Sequence, residues 1–424
     1  MTGLKHAFRS LAIFNFRLWA AGSIFSYVGT WMQRVAQTWL VLAQLTDNNA
    51  TAVGVLTALQ YGPLFLLLPW TGFAADRFDR RKLLIATQAA MGALALALGL
   101  LIVSDAVRLW HVYVFAVLLG CVSAFDSPAS NGFAADLVGE THLSNAVALN
   151  STLFNAARLI GPAVAGVLIA ALGTGWAFLI NAGSFVAVIG ALCLIRANEL
   201  HRASALEAPS AGLDGIRYVW ARPRLLTVML MLFLIGTFAL NFPLFISAMT
   251  VKVFHVGADR YGLAMSIMAV GSIAGAMFSA VPLRPGIAHL VAASALLGLG
   301  FALAALAPAY WPFTAALVLM GAAAVTMTTL TNSVMQLHTE PFMRGRVLAL
   351  RTAVAVGATP LGAPLLGWIA DGPGPRWALA LGGGASIVAM LVGLEGHHRG
   401  SPLAPILLRA TGPKTRCDGP DLTP

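Results

Sequence analysis

The sequence predicts an all-α membrane protein with twelve transmembrane helices in two six-helix bundles related by a parallel repeat. Three observations lead there. The 424 residues are 58% hydrophobic and only 10% charged, with a mean hydropathy of +0.81, well outside the soluble range. Short polar stretches divide the chain into apolar segments of about 20 residues or more, the helix length that crosses a hydrocarbon core of roughly 30 Å. At a constant offset of 201 residues, Trp110 aligns with Trp311, Gly120 with Gly321, Asn131 with Asn332, Gly161 with Gly362, Gly166 with Gly367 and Trp176 with Trp377. Six spans separate the copies, so both run in the same direction. The segments do not alternate polar and apolar as barrel strands do, and a helix satisfies its backbone internally in lipid.

Taken in order, residues 1–17 carry Lys5, Arg9 and Arg17 and run straight into an apolar segment over 18–45. This reads as an uncleaved first span preceded by a basic interfacial helix. A second span is expected over 52–75, a third over 83–103 with no charge, a fourth over 111–134, a fifth over 145–172 and a sixth over 175–195. Between Arg196 and Arg224 the composition turns polar, with Pro209 and Gly212. That stretch separates an N-terminal bundle (1–195) from a C-terminal bundle (225–395), as a cytoplasmic central loop over 196–224. The remaining spans are expected over 225–249, 261–283, 287–307, 311–336, 347–370 and 377–394, followed by a disordered cytoplasmic tail over 396–424.

The basic residues orient this array. With a cytoplasmic amino terminus, 20 of the 26 Lys and Arg fall on that side, Arg108, Lys252, Arg260 and Arg376 fall opposite, and Arg34 and Arg158 stay in the membrane. The net charge of +10 is therefore a matter of topology, and no nucleic-acid partner is expected. Cys121, Cys193 and Cys417 are scattered and the nine histidines form no HExxH, so neither a disulfide framework nor a metal centre is expected. No GxxxxGK[ST] pattern supports a nucleotide-driven pump, and no cluster of nucleophile, base or metal ligands supports an enzyme.

Charges deep in the membrane are costly unless paired or facing water, which makes Asp126, Arg158 and Arg34 candidates for the transport path. Asp126 and Arg158 read either as a proton site whose charge depends on the arginine, or as a fixed ion pair bracing two helices. On the fifth helix, RLIGPAVAG places Gly161, Pro162 and Gly166 where a proline bends the helix and glycines admit a close neighbour. Gln33, Gln37, Gln60, Asn150, Asn155 and Asn241, with Tyr61, Phe154, Phe238 and Phe242, form a possible polar and aromatic cavity wall. Each also reads as an ordinary packing residue.

The loop Gly72 to Leu84, GFAADRFDRRKLL, falls after the second span. With GTWMQRVAQTWLVL on helix one, FDSPASNGFAADLV, LSNAVALNSTLFNAARLIGPAVAGVL and RGRVLAL, it resembles the major facilitator superfamily, in the branch of enterobactin exporters and macrolide efflux proteins. The resemblance implies export of a siderophore, macrolide or other drug-like compound across the inner membrane by a monomer. It implies no cofactor, the proton gradient as energy source, and both termini in the cytoplasm. It also implies a gate built from Gly72, Asp76, Arg77, Arg80, Arg81 and Lys82, with Arg346 and Arg351 as partners for Asp76, and an antiporter motif at Gly161, Pro162 and Gly166. Helix four lacks the arginine of many antiporters, and the second copy of the loop is reduced to SAVPLRPGIAH, with Arg284 its only retained base. A metabolite importer of the same fold and a non-transport membrane assembly factor are the alternatives.

Overall fold

The computed structural model describes residues 9–67, 70–71, 77–139, 142–201, 213–279 and 285–398. Among them are twelve long helical segments: α1 (Phe14–Trp39, continued by a π-helical turn Leu40–Leu45), α2 (Ala50–Leu66), α3 (Arg80–Val103), α4 (Leu109–Val138), α5 (Leu143–Leu172) and α6 (Thr174–Leu194). The second half holds α7 (Pro223–Val253), α8 (Ala258–Ser279), α9 (Ile287–Leu306), α10 (Tyr310–Leu337), α11 (Arg344–Asp371) and α12 (Pro375–His398). Ten are long and apolar enough to cross a membrane; α1 carries more polar residues, and α2 is described only to 17 residues. Within the central polar stretch lies a short amphipathic helix, Leu213–Trp220. Gly72, Asp76, Arg284 and residues 399–424 of the tail lie outside the described residues.

Two helices depart from expectation. α7 is not continuous: it breaks after Phe238 and restarts at Phe242, where Pro243 in the new first turn has no N–H to donate backward. α4 runs on to Val138 instead of stopping near residue 134, so Asp126 sits deeper, roughly 18 Å from its end.

The repeat is visible as packing. A Cβ on Gly161 of α5 would meet the Trp31 Cβ at 2.6 Å and the Val28 carbonyl at 2.9 Å on α1, while its copy Gly362 on α11 lies against the Thr237 carbonyl of α7. Gly166 approaches the Ala258 carbonyl at the start of α8, and its copy Gly367 approaches the Ala50 carbonyl at the start of α2. Each half thus docks its fifth helix on its own first helix and on the second helix of the other half, at glycines that let backbones touch.

These crossings lie toward one face of the molecule, here the far face. The opposite face, where α3 and α11 begin with Arg80 and Arg344, is the basic face. Between α5 and α8 the last described bond toward the basic face is Ser266 Oγ donating to the Leu159 carbonyl at 2.7 Å. Farther along the same side of α5, Ala148, Ser151 and Thr152 are exposed. The two halves therefore meet at the far face and part between α5 and α8 toward the basic face, leaving a cleft there, while α2 and α11 stay in contact as far as Phe65 against Gly357.

Candidate functional site

The cleft wall is built from two stripes. On α1, Tyr27, Trp31 and Arg34 follow at steps of four and three; on α5, Asn150, Phe154 and Arg158 follow at steps of four, so each set occupies one helix face. The stripes meet. Tyr27 Oη donates to Asn150 Oδ1 at 3.0 Å, and Phe154 lies edge-on to Tyr27 at 5.6 Å and to Trp31 at 5.8 Å. The Arg34 guanidinium carbon is 4.9 Å from the Trp31 ring centre, and that of Arg158 is 5.6 Å from the same ring. Tyr61 of α2 lies 5.9 Å from Arg34. Gly161, one turn beyond Arg158, is what lets α1 come close enough for this arrangement.

Among the described residues neither guanidinium has a carboxylate partner. A cation–π contact is worth about 0.5–2 kcal/mol, whereas partial dehydration of an ion in a protein costs several kcal/mol. The balance must come from water in the cleft or from a charged ligand. Phe154, 43% exposed, shows that the stripe is reached from the cleft.

Asp126 does not pair with Arg158, which corrects the ion-pair expectation. Its Oδ1 accepts from Thr87 Oγ1 at 2.6 Å and from Gln88 Nε2 at 2.9 Å, both on α3. Gln88 Oε1 in turn accepts from Ser26 Oγ of α1 at 3.3 Å. Asp126 lies on the face of α4 that packs on α3, within its own half, where it lines a cavity of about 20 Å³ with Tyr27, Ser130 and Gln88, room for about one water. Tyr27 stands between this carboxyl and the cleft, since its hydroxyl bonds Asn150 on the cleft wall. Thr87, Gln88 and Tyr27 were not singled out from sequence; their spacing alone carries no signal.

The other expected wall residues divide. Gln60 and Tyr61 are half-buried on α2, with the Gln60 carbonyl against Gly120 of α4. Asn155 is turned back on its own helix, donating to the Ser151 carbonyl at 2.8 Å. Gln33 is bonded to Asn181 of α6 at 2.5 Å. Gln37 and Asn241 are both only 2% exposed, so they lie in packed protein and not on the open wall. Pro162 joins Gly166 at the α8 contact, where Gly262 faces the Pro162 carbonyl.

Of the loop motif, Arg80 Nη1 bonds Asp136 of α4 at 3.0 Å, and Arg81 donates to the Leu192 and Cys193 carbonyls at the end of α6, at 2.7 and 2.8 Å. Arg77 and Lys82 are exposed. Arg346 faces Asp214 at 4.0 Å and Arg351 Nη2 donates to the Thr328 carbonyl at 2.7 Å; any pairing of either with Asp76 lies outside the described residues.

A cluster absent from the sequence reading closes the far face. Asp371, the last residue of α11, accepts from Ala50 N at 2.7 Å, from Thr51 N at 2.7 Å and from Thr51 Oγ1 at 2.6 Å, and pairs with Lys252 Nζ at 2.6 Å. A carboxylate at the amino end of α2 meets unpaired N–H groups and the positive end of the helix dipole.

Comparison with known proteins agrees with this architecture. An uncharacterised MFS-type transporter of Bacillus subtilis is 30% identical over 50% of this chain and 50% of its own length. The staphyloferrin A transporter of Staphylococcus aureus is 27% identical over 60% of this chain and 64% of its own. The multidrug efflux pump Tap of Mycolicibacterium fortuitum is 30% identical over 80% and 85%. The chain thus spans between half and two thirds of the first two relatives. Among solved structures, the nucleoside transporter NupG superposes with a TM-score of 0.71 at 12% identity, over 90% of this chain and 99% of that one, a likeness of fold. The family described as transmembrane secretion effector matches residues 6–400. The chain is therefore a multi-pass membrane protein of the major facilitator superfamily, and it belongs to the transmembrane secretion effector family.

Proposed function

We propose that this protein is a secondary active transporter that exports a small organic molecule across the cytoplasmic membrane by alternating access, coupled to inward proton flow. The basic face is taken as cytoplasmic on the positive-inside rule, which places both termini there, and the working unit as one chain. The names of the staphyloferrin A transporter and of the multidrug pump Tap support export of a siderophore or drug-like compound.

The observation that carries proton coupling is Asp126. Its carboxyl is held by two neutral donors and by no cation, so it can gain a proton without leaving a buried base unpaired. Through Tyr27 it adjoins the wall of a cleft open to the cytoplasmic side. Protonation would remove the charge that Thr87 and Gln88 now solvate and, through Tyr27 and Asn150, would be felt on α5, the helix that meets α8 of the other half.

Everted membrane vesicles test this. Acid-inside vesicles should accumulate an exported dye, and Asp126→Asn should abolish accumulation while leaving dye binding intact. Uptake driven instead by acid outside would mark an importer, and full accumulation by the Asn variant would remove Asp126 from the coupling step.

A further inference from the structure

Resting on the reading of the cleft as the substrate path, we propose that the substrate is an organic anion, whose carboxylate or other anionic oxygens sit between Arg34 and Arg158. Its apolar or aromatic body would lie against Trp31, Tyr61 and Phe154.

The two guanidiniums come from different helices and share one indole. Two like charges brought to one ring, with no acid paired to either among the described residues, repel each other, and an anion placed between them satisfies both. The nearest interior carboxyl cannot serve: Asp126 is occupied by Thr87 and Gln88 on the other side of Tyr27. Arg351 Nη2 donates to the Thr328 carbonyl at 2.7 Å while its Nε is buried without a described partner, and it makes no described contact with the Trp31 ring that Arg34 and Arg158 share. The unshared donors of Arg34 and Arg158 are planar forks, the geometry that grips carboxylates and related oxyanions in pairs. Aromatic rings flanking a fork accept a flat organic body on their faces and edges. A cationic ligand at the same place would meet two like charges and gain no counter-charge, so the arrangement also selects against organic cations.

The test uses three probes that share one naphthyl body and carry an anionic, a neutral and a cationic head: 2-naphthoate, 2-naphthamide and 2-naphthylmethylammonium, titrated by calorimetry into the purified full-length protein. Naphthoate should bind about tenfold more tightly than the amide, with the ammonium weakest. Arg34→Gln and Arg158→Gln should each erase that preference, and Arg158→Lys should keep part of it, as a point charge without a fork. The proposal falls if the amide or the ammonium matches naphthoate on the unaltered protein, if none of the three binds, or if naphthoate keeps its advantage in the double Gln variant. The probe ranking on the unaltered protein needs no variant to fold.

The two readings fail separately. Proton-driven uptake of rhodamine 6G into everted vesicles without any preference for naphthoate would sink the anion site and leave export standing. A clear naphthoate preference with no proton-dependent flux of any probe would do the reverse.

Discussion

The two faces of the molecule use the same residue types for opposite purposes. At the far face one carboxylate, Asp371, collects donors from the first turn of α2 in the other half and from Lys252 in its own. At the basic face the described ion pairs join neighbours within a half: Arg80 with Asp136, Arg222 with Glu340, and Arg346 with Asp214. A bond within a half survives when the halves rock and stabilises both states alike. A bond across halves exists in one state only, and its free energy enters the conformational equilibrium directly. The far-face cluster is therefore where this chain sets its preference for the state open at the basic face.

The comparison breaks most severely at the glycines beneath the cluster. Gly367 touches the Ala50 carbonyl and Gly54 the Ala363 carbonyl, so Gly367→Leu would wedge α2 from α11. Loss of nearly all proton-driven uptake in everted vesicles is expected, with stability lower by about 1–3 kcal/mol. Gly190→Leu on α6, where nothing lies within 4 Å, should transport normally. Equal damage from the two would mean that the far face carries no special constraint.

Next in size is Asp371→Asn. The carboxylate is 23% exposed, which puts its charge-assisted bonds at the low end of about 1.5–3 kcal/mol each, and one to two of them shift the two-state population by about ten- to a hundredfold. In a background with the native cysteines replaced by serine, Ser151→Cys on the cleft wall should react more slowly with an impermeant thiol reagent from the basic face. Lys252→Met should leave the rate close to its unaltered value, because the Lys252 bond lies within one half and the three donors of α2 across the halves remain. An unchanged rate in Asp371→Asn would remove the cluster from the equilibrium.

The long-range plan was legible because lipid enforces it. Span lengths follow bilayer thickness, and the 201-residue offset survives in glycines such as Gly161 and Gly362, which have no room for a side chain. The stripes of Tyr27, Trp31 and Arg34 and of Asn150, Phe154 and Arg158 were each written in helical spacing, but nothing in linear order says that the two face one another. Asp126 was legible as a deep charge and illegible in its partners: Arg158 was the obvious cation, yet the helix turns the carboxyl toward two neutral side chains. Asp371 sits beside Gly372, Pro373 and Gly374 and reads as a loop acid, since only folding brings it to residue 50. The break in α7 had a signal in Pro243, overridden by hydropathy that runs unbroken through it.

The smallest effects are expected inside one half, and they sharpen the comparison by being small in a specific way. Asp136→Asn removes the described ion-pair partner of Arg80, whose side chain is 22% exposed against 10% for the aspartate. The pair ties α3 to α4, so thermal stability should fall by about 1 kcal/mol, while labelling of Ser151→Cys should keep its unaltered rate. Arg196→Gln goes lower still, because Arg196 and Glu199 are 59% and 45% exposed and such pairs contribute about 0–1 kcal/mol. Should Asp136→Asn change the labelling rate as much as Asp371→Asn, the Arg80 pair would have to differ between the two states. The division between bonds that hold a half together and bonds that hold the halves to each other would then be drawn in the wrong place.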